Sequence, residues 1–247
     1  KIGGSIIGNS KLLRNVLLSA NSLDTNQLNV FVVSALNATP DKTKGTTNLL
    51  ASTFGKSMFE KINVTDKLME QHENIYSDFG ISMSNETKKI INEAFYQKTL
   101  NETIEVGELI SQQMFCDILA SMNIDSEPIS IRTIFRETDI DLNRLITRVD
   151  VIEKFKDSIK YTDNNCVKVF PGFFHIGRLG TLKTLGRGYS DTTGALCSAA
   201  FNADTYNIWK ESGGVFSAHP GKYQDAKHIP LLSLEEAREI TVFGNEV

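Results

Sequence analysis

Two glycine-bearing loops carry the residue types that handle an anion. One is Gly3-Gly4, close after Lys1; the other is 184–191 (TLGRGYSD), which combines two glycines with an arginine and an aspartate. Glycine lets backbone amides approach phosphate oxygens closely, and a helix that starts just beyond such a loop aims its positive end at them. Phosphoryl transfer fits these parts, because there the protein supplies cations, amides and positioning rather than a covalent partner. Neither loop has Walker A spacing or the GxGxxG fingerprint, and a glycine pair in a turn also serves purely structural ends. Nucleophilic hydrolysis does not fit. His72, His175, His219 and His228 show no pairing with a nucleophile and an orienting acid, and GYSDT around Ser190 is not a Gly-x-Ser-x-Gly elbow. Cys116, Cys166 and Cys197 stand far apart with no Cys or His at metal-ligand spacing, so no metal site is expected among them. All three read as small buried hydrophobes.

The loops must be positioned by alternating strands and helices. The near-continuous apolar run 28–35 (LNVFVVSA) suits a parallel strand covered on both faces. Leu12, Leu13, Val16, Leu17 and Ala20 recur at helical spacing, which predicts a helix over 11–22. Further helices are expected over 48–59, from Ser84, over 105–122 (EVGELISQQMFCDILASM), over 149–159, over the small-residue run 192–201 (TTGALCSAAF), and from Ser233. Short strands are expected near 129–134, 167–171 and 206–209. Apolar strands separated by helices predict an α/β protein, a three-layer αβα sandwich with a mainly parallel central sheet. The net charge of −4 gives no support to a nucleic-acid partner. No apolar run nears the roughly 20 residues that cross a bilayer, so no membrane partner is expected either. Sparse cysteines fit a reducing compartment such as the cytoplasm.

The order of segments is specific: KIGGS, VVSA followed by GTTNLL, GELIS, PGFF, TLGRGYSDTTGALCSAAFNAD, IWKESGGVFSAHPGK and SLEEAREITVFGNEV. In this order the chain resembles the aspartokinase branch of the amino-acid kinase family, and GRGYSD and WKESGG are similar to the fungal-type enzymes. The resemblance implies the amino-acid kinase fold, L-aspartate and ATP as substrates, Mg²⁺ on the ATP phosphates, and a homo-oligomeric enzyme of lysine, threonine and methionine biosynthesis. It implies that Lys1 bridges the transferring phosphate, with Gly3 and Gly4 giving amides beside it. Ser34 and Thr47 would line the aspartate pocket, Glu108 receive the substrate ammonium, and Arg187 clamp the α-carboxylate. Phe173, Ser190 and Asp191 would complete that wall, Asp191 with Lys1 at the catalytic centre. The segment 210–222, with Lys210, Glu211, Phe216 and Lys222, would bind nucleotide. Blander readings account for single residues: Arg187 and Asp191 are spaced for a local ion pair, and Glu108 on an amphipathic helix could be a solvated charge.

The pattern also departs from the family. Around Pro220 an acid and an arginine are usual, whereas this chain has His219 and Gly221, with Lys222 as a substitute cation. Gly213 replaces an acid or proline, and Ser5-Ile6 stands where Thr-Ser is common. These changes keep two alternatives open: a kinase-like protein with weakened nucleotide binding, and a sister kinase acting on acetylglutamate or a nucleoside monophosphate. Against the family pattern the catalytic domain is expected to be incomplete at both ends, with an amino-acid lobe over about 1–170, a nucleotide lobe over about 171–247 and no ACT domain.

Overall fold

The structure, a computed structural model, describes residues 1–20, 27–37, 44–97, 99–131, 149–159, 166–174, 189–211 and 213–242. They form two compact units, Lys1–Trp209 and Lys210–Val247.

The first unit is built on a parallel sheet of β1 (Val30–Val33), β2 (Ser126–Pro128) and β3 (Val167–Pro171), in the order β1-β3-β2. Ile2 lies in the same plane as a parallel bridge to both Val33 and Trp209. Its amide donates to Val32 O at 2.8 Å, and Gly3 N donates to Trp209 O at 3.0 Å. The strand expected at 206–209 is thus reduced, among assigned pairings, to this bridge at Trp209. The strand expected near 129–134 lies slightly earlier, at 126–128, and 132–134 fall outside the described residues.

Successive strand residues point to opposite faces, and here both faces are covered. Val33, Val167 and Val169 enter one core with Ile2, Leu13, Leu17, Leu50 and Phe115. Val32 and Phe170 enter a second core with Ile129, Phe155, Phe174 and Leu196. The first core is closed by α1 (Gly4–Ile7), α2 (Ser10–Ala20), α4 (Met58–Asp78), α5 (Asn85–Glu93) and α6 (Leu100–Ser121), with α3 (Thr46–Thr53) contributing Leu50. The second is closed by α7 (Val149–Asp157) and α8 (Tyr189–Ala200). Helices on both faces of a parallel sheet make the three layers that the apolar strands require.

The helix expected over 48–59 is two helices. Gly55 adopts φ +76°, which breaks α3, and Ser57 then caps α4. Its hydroxyl accepts from Glu60 N while Glu60 returns a carboxylate to Ser57 N at 3.1 Å. A second capping box, Thr99 with Glu102, starts α6 five residues before the expected 105. The last described helix of unit 1 begins at Tyr189 rather than 192, so Ser190 and Asp191 sit in its first turn. Cys116 and Cys197 are buried as expected, but Cys166 is only half-buried and lies against a lysine amine instead of apolar side chains.

The second unit pairs β4 (Val215–Phe216) antiparallel with β5 (His228–Ile229). Its last described element is α9 (Leu234–Val242), where Ser233 N donates to Glu236 at 2.7 Å.

Candidate active site

In open parallel sheets, ligands bind in the crevice beyond the carboxyl ends of the strands. Ser34 to Asn37 follow β1, and Gly172 and Phe173 follow β3. The short helix α1 follows Gly3. Glu108 comes to this edge from the middle of α6, and Asp191 from the start of α8.

Glycine 107 brings α6 close. A Cβ there would meet Thr46 Cγ2 at 3.0 Å, Ala35 Cβ at 3.2 Å and Leu50 Cδ1 at 3.3 Å. Its neighbour Glu108 is 6% exposed, so the reading as a solvated charge is excluded. Burial pushes the Glu108 carboxyl up to about 8, opposed by the amide of Ala35, the charge of Lys1 and the amides of Gly172 and Phe173. Even so, among the described residues Oε2 has no hydrogen-bond partner, and neither do the buried Asn37 Oδ1 and Thr46 Oγ1. A buried polar atom left unpaired in this way calls for an explanation. These three belong to one neighbourhood. Asn37 N donates to Gly4 O at 2.9 Å, Thr46 N donates to Leu36 O at 3.1 Å, and Thr46 packs on the helix turn of Glu108.

Lys1 is paired with Asp191, Nζ to Oδ1 at 2.9 Å, with the lysine side chain 7% exposed. Asp191 gains from the positive end of α8. Its backbone carbonyl accepts from Tyr206 Oη at 3.0 Å, and the ring of Tyr206 fills the space that a side chain at Gly194 would need. Thr193 Oγ1 donates to Gly172 O at 2.6 Å, tying α8 to the turn after β3. The result is a fixed ammonium within electrostatic reach of a buried carboxyl, the carboxyl on α6 and the lysine tied at its backbone by Trp209 N to Lys1 O at 2.9 Å.

The remaining expected residues fall as follows. Ser34 and Thr47 are half-buried at the same strand edge, and the buried threonine is Thr46. Ser190 is buried in the gap left by Gly172: a Cβ at 172 would come to 2.6 Å from both Ser190 Cβ and Oγ and 2.9 Å from Val33 O. Gly172→Ala is therefore expected to cost about 1–3 kcal/mol of stability through overpacking, measured by urea denaturation with the midpoint shifted and the slope unchanged. The ring of Phe173 belongs to the second core, while its amide faces Glu108. Gly3 and Gly4 are glycines for a packing reason. A Cβ on Gly4 would collide with the Ala35 carbonyl, and one on Gly3 would lie 3.2 Å from Trp209 O. Gly3 N already donates to Trp209 O, so of the two amides expected to face an anion only that of Gly4 is left to do so. Arg187 lies outside the described residues. A cavity of about 260 Å³ opens on the other side of Lys1, lined by Val30, Val32, Cys197, Tyr206 and Trp209; Glu108 and Asp191 do not line it.

Within the second unit, Lys210, Glu211, Phe216 and Lys222 flank one turn-rich segment. Gly213 and Gly214 take φ values of +72° and +141°, so glycine at 213 answers a backbone need. Phe216 packs edge-on to His228, ring centres 5.4 Å apart. Gly221 N donates to His219 Nδ1 at 3.1 Å and Lys222 N to His219 O at 3.0 Å, so the unusual His219 and Gly221 close a local turn from which exposed Lys222 projects.

Crossover-connected parallel strands with a cation and a buried acid at their carboxyl ends agree with the profile of the amino acid kinase family. That profile matches residues 1–247, and the chain belongs to the family. Within the family it is similar to aspartokinases. That of Schizosaccharomyces pombe is 35% identical over 150 residues, 61% of this chain and 29% of the relative. That of Saccharomyces cerevisiae is 44% identical over 81 residues, 33% of this chain and 15% of the relative. The match thus spans less than a third of either relative's length. Among solved structures, Escherichia coli aspartokinase III in complex with aspartate and ADP superposes with a TM-score of 0.77 at 23% identity, covering 98% of this chain and 55% of that one. Clostridium acetobutylicum aspartate kinase gives 0.71 at 23% identity, covering 98% and 53%. These likenesses establish the fold.

Proposed function

We propose that the chain is catalytic-domain sequence of an aspartate kinase, which transfers the γ-phosphate of ATP to the β-carboxylate of L-aspartate and yields 4-phospho-L-aspartate. The observation that carries this reading is the Lys1–Asp191 pair beside Glu108, a buried carboxyl with an oxygen unpaired among the described residues. An α-ammonium is the cation that such an oxygen lacks, and an amino acid supplies it.

The reaction needs no covalent enzyme intermediate. The β-carboxylate is ionised at neutral pH. It attacks the γ-phosphorus, an O–P bond forms, the β,γ-bridging bond breaks and ADP leaves. The developing charge falls on the phosphoryl oxygens, and fixed cations and amides there are worth far more than in water. Lys1 supplies the cation and Asp191 holds it in place. The amide of Gly4 flanks the phosphoryl oxygens. Glu108 takes the ammonium, Arg187 the α-carboxylate, and Ser34, Thr46, Thr47, Phe173 and Ser190 form the wall. Lys210, Glu211, Phe216 and Lys222 serve the nucleotide, which brings Mg²⁺ on its phosphates as part of the substrate. On this reading the amino-acid lobe covers about 1–170 and the nucleotide lobe about 171–247. The enzyme works in the cytoplasm as a homo-oligomer and feeds lysine, threonine and methionine synthesis.

A hydroxamate assay with aspartate and MgATP tests the proposal. Aspartate-dependent acyl phosphate is expected; aspartate binding without product would leave a degenerate kinase, and product from acetylglutamate or a nucleoside monophosphate would replace the substrate. Arg187→Lys refines it. The change keeps the charge and loses the planar two-point contact. Loss of one charged hydrogen bond costs about 1.5–3 kcal/mol, so aspartate affinity should fall roughly 10- to 150-fold while ATP affinity stays unchanged. Calorimetric titration with each ligand separates the two, and a parallel loss would make Arg187 a phosphate ligand instead.

A further inference from the structure

A second set of reactive groups lies at the other end of β3. Lys168 is the one charged residue in the strand VKVFP, and its side chain is fully buried. Its amine lies 3.2 Å from Glu127 Oε2 and 3.0 Å from Cys166 Sγ, and the thiol is 3.8 Å from the same carboxylate oxygen. Strand geometry dictates this grouping. Cys166 immediately precedes β3, two residues before Lys168 and so on the same side of the chain, and Glu127 of β2 is the register partner of Lys168. The Glu127 side chain is 40% exposed and Cys166 half-buried, so a small solute can reach the group. The other two thiols differ. Cys116 is buried, its thiol pushed up to about 12 by desolvation, and Cys197 is buried and pushed up as well.

We propose that Cys166 and Lys168 form an oxidation-driven covalent cross-link, a sulfenamide, with a hydroperoxide as oxidant and Glu127 as the proton carrier. The first step is attack of the Cys166 sulfur on a peroxide oxygen. An S–O bond forms, the O–O bond breaks, one water leaves, and sulfur is oxidised by two electrons to the sulfenic acid as the peroxide is reduced. Lys168 then loses a proton to Glu127, and its nitrogen attacks the sulfenic sulfur. The S–N bond forms, the S–O bond breaks, and hydroxide departs as a second water with the proton that Glu127 returns. Thiol, ammonium and one hydrogen peroxide thus give the sulfenamide, two waters and one released proton. The amine is already in contact with the sulfur, so the second step is intramolecular and outruns further oxidation of the sulfenic acid. A thiol reductant reverses it by attack on sulfur, releasing the amine.

The test treats the protein with hydrogen peroxide, denatures it without reductant, digests it with trypsin and weighs the peptides. The cross-linked peptide should read through Lys168 uncleaved, weigh two hydrogens less than its reduced form, and revert on reduction with dithiothreitol. Lys168→Met should lose the cross-link altogether and stop at a sulfenic acid that dimedone traps. Glu127→Gln, which keeps both reacting groups, should slow cross-linking by about 100-fold, the scale of a lost general base. The proposal is overturned if Cys166 gains one or more oxygens while trypsin still cleaves at Lys168. It is equally overturned if Cys116 or Cys197 oxidises first, or if the cross-link forms as fast in Glu127→Gln.

Discussion

Lys1→Met is expected to lower the turnover of aspartyl phosphate formation by about 10²- to 10³-fold, the usual consequence of removing one preorganised donor from a charge-developing site. The lysine side chain is 7% exposed and its ammonium is locked to Asp191 at 2.9 Å, so it acts without reorganisation cost. Methionine keeps an unbranched side chain one atom shorter and removes only the charged tip, which separates loss of charge from most of the loss of packing. Asp191→Asn should lower turnover less, because it loosens Lys1 without removing it. The informative measurement is the double variant. If Asp191 works by holding Lys1, the double variant should be no slower than Lys1→Met alone, since groups acting as a unit are not additive. Full additivity in steady-state hydroxamate kinetics would instead give Asp191 an independent role at the phosphate.

The two-sided sheet was legible because LNVFVVSA is apolar at nearly every consecutive position, as suits a strand covered on both faces. The first break was also written in the chain. FGKSMFE places a glycine before a Ser-x-x-Glu capping box, and periodicity alone ran the helix through it. The candidate site was harder. Glu108, Lys1 and Asp191 were found through motif order, since nothing in their spacing brings positions 1, 108 and 191 together. What does so is invisible to a linear reading: the glycine at 107 that lets α6 approach, and Tyr206 seated on Gly194. Thr46 was missed in favour of Thr47. Adjacent residues on a helix cannot face the same way, so the pair Thr46-Thr47 implied that one of them turns inward, but not which. Asn37 gave no signal at all, because its place beside Glu108 rests on its bond to the carbonyl of Gly4. The Lys168 amine beside Cys166 was hidden for a related reason: a lysine in a strand reads as an edge until the neighbouring strands are placed.

Glu108→Gln is expected to move stability and aspartate binding in opposite directions, and pH decides by how much. The folded protein raises this carboxyl from its ordinary 4.5 to about 8. Between those values the folded state holds a proton that the unfolded state has lost, so unfolding free energy falls by about 1.4 kcal/mol per pH unit. The penalty is absent below pH 4.5, grows as pH rises, and is complete above pH 8, where the shift bounds it at roughly 5 kcal/mol. Glutamine carries no such penalty. The variant should therefore match the wild type in denaturant midpoint near pH 4 and exceed it at pH 8, by about 2–4 kcal/mol once relaxation is allowed for. Binding runs the other way. An incoming ammonium needs the ionised carboxylate, so wild-type affinity for aspartate should improve close to tenfold per unit from pH 6 to pH 8, with one proton released per aspartate bound. Calorimetry in buffers of different ionisation enthalpy reads that proton directly. In the variant the affinity should be flat over this range and, at pH 8, about 10- to 150-fold weaker, the value of one charged hydrogen bond. Near pH 6 the wild type has itself lost about 100-fold, so the two affinities should converge there. A variant that binds aspartate as the wild type does at pH 8, while still gaining stability, would remove Glu108 from the ammonium site and leave it only a strained buried acid.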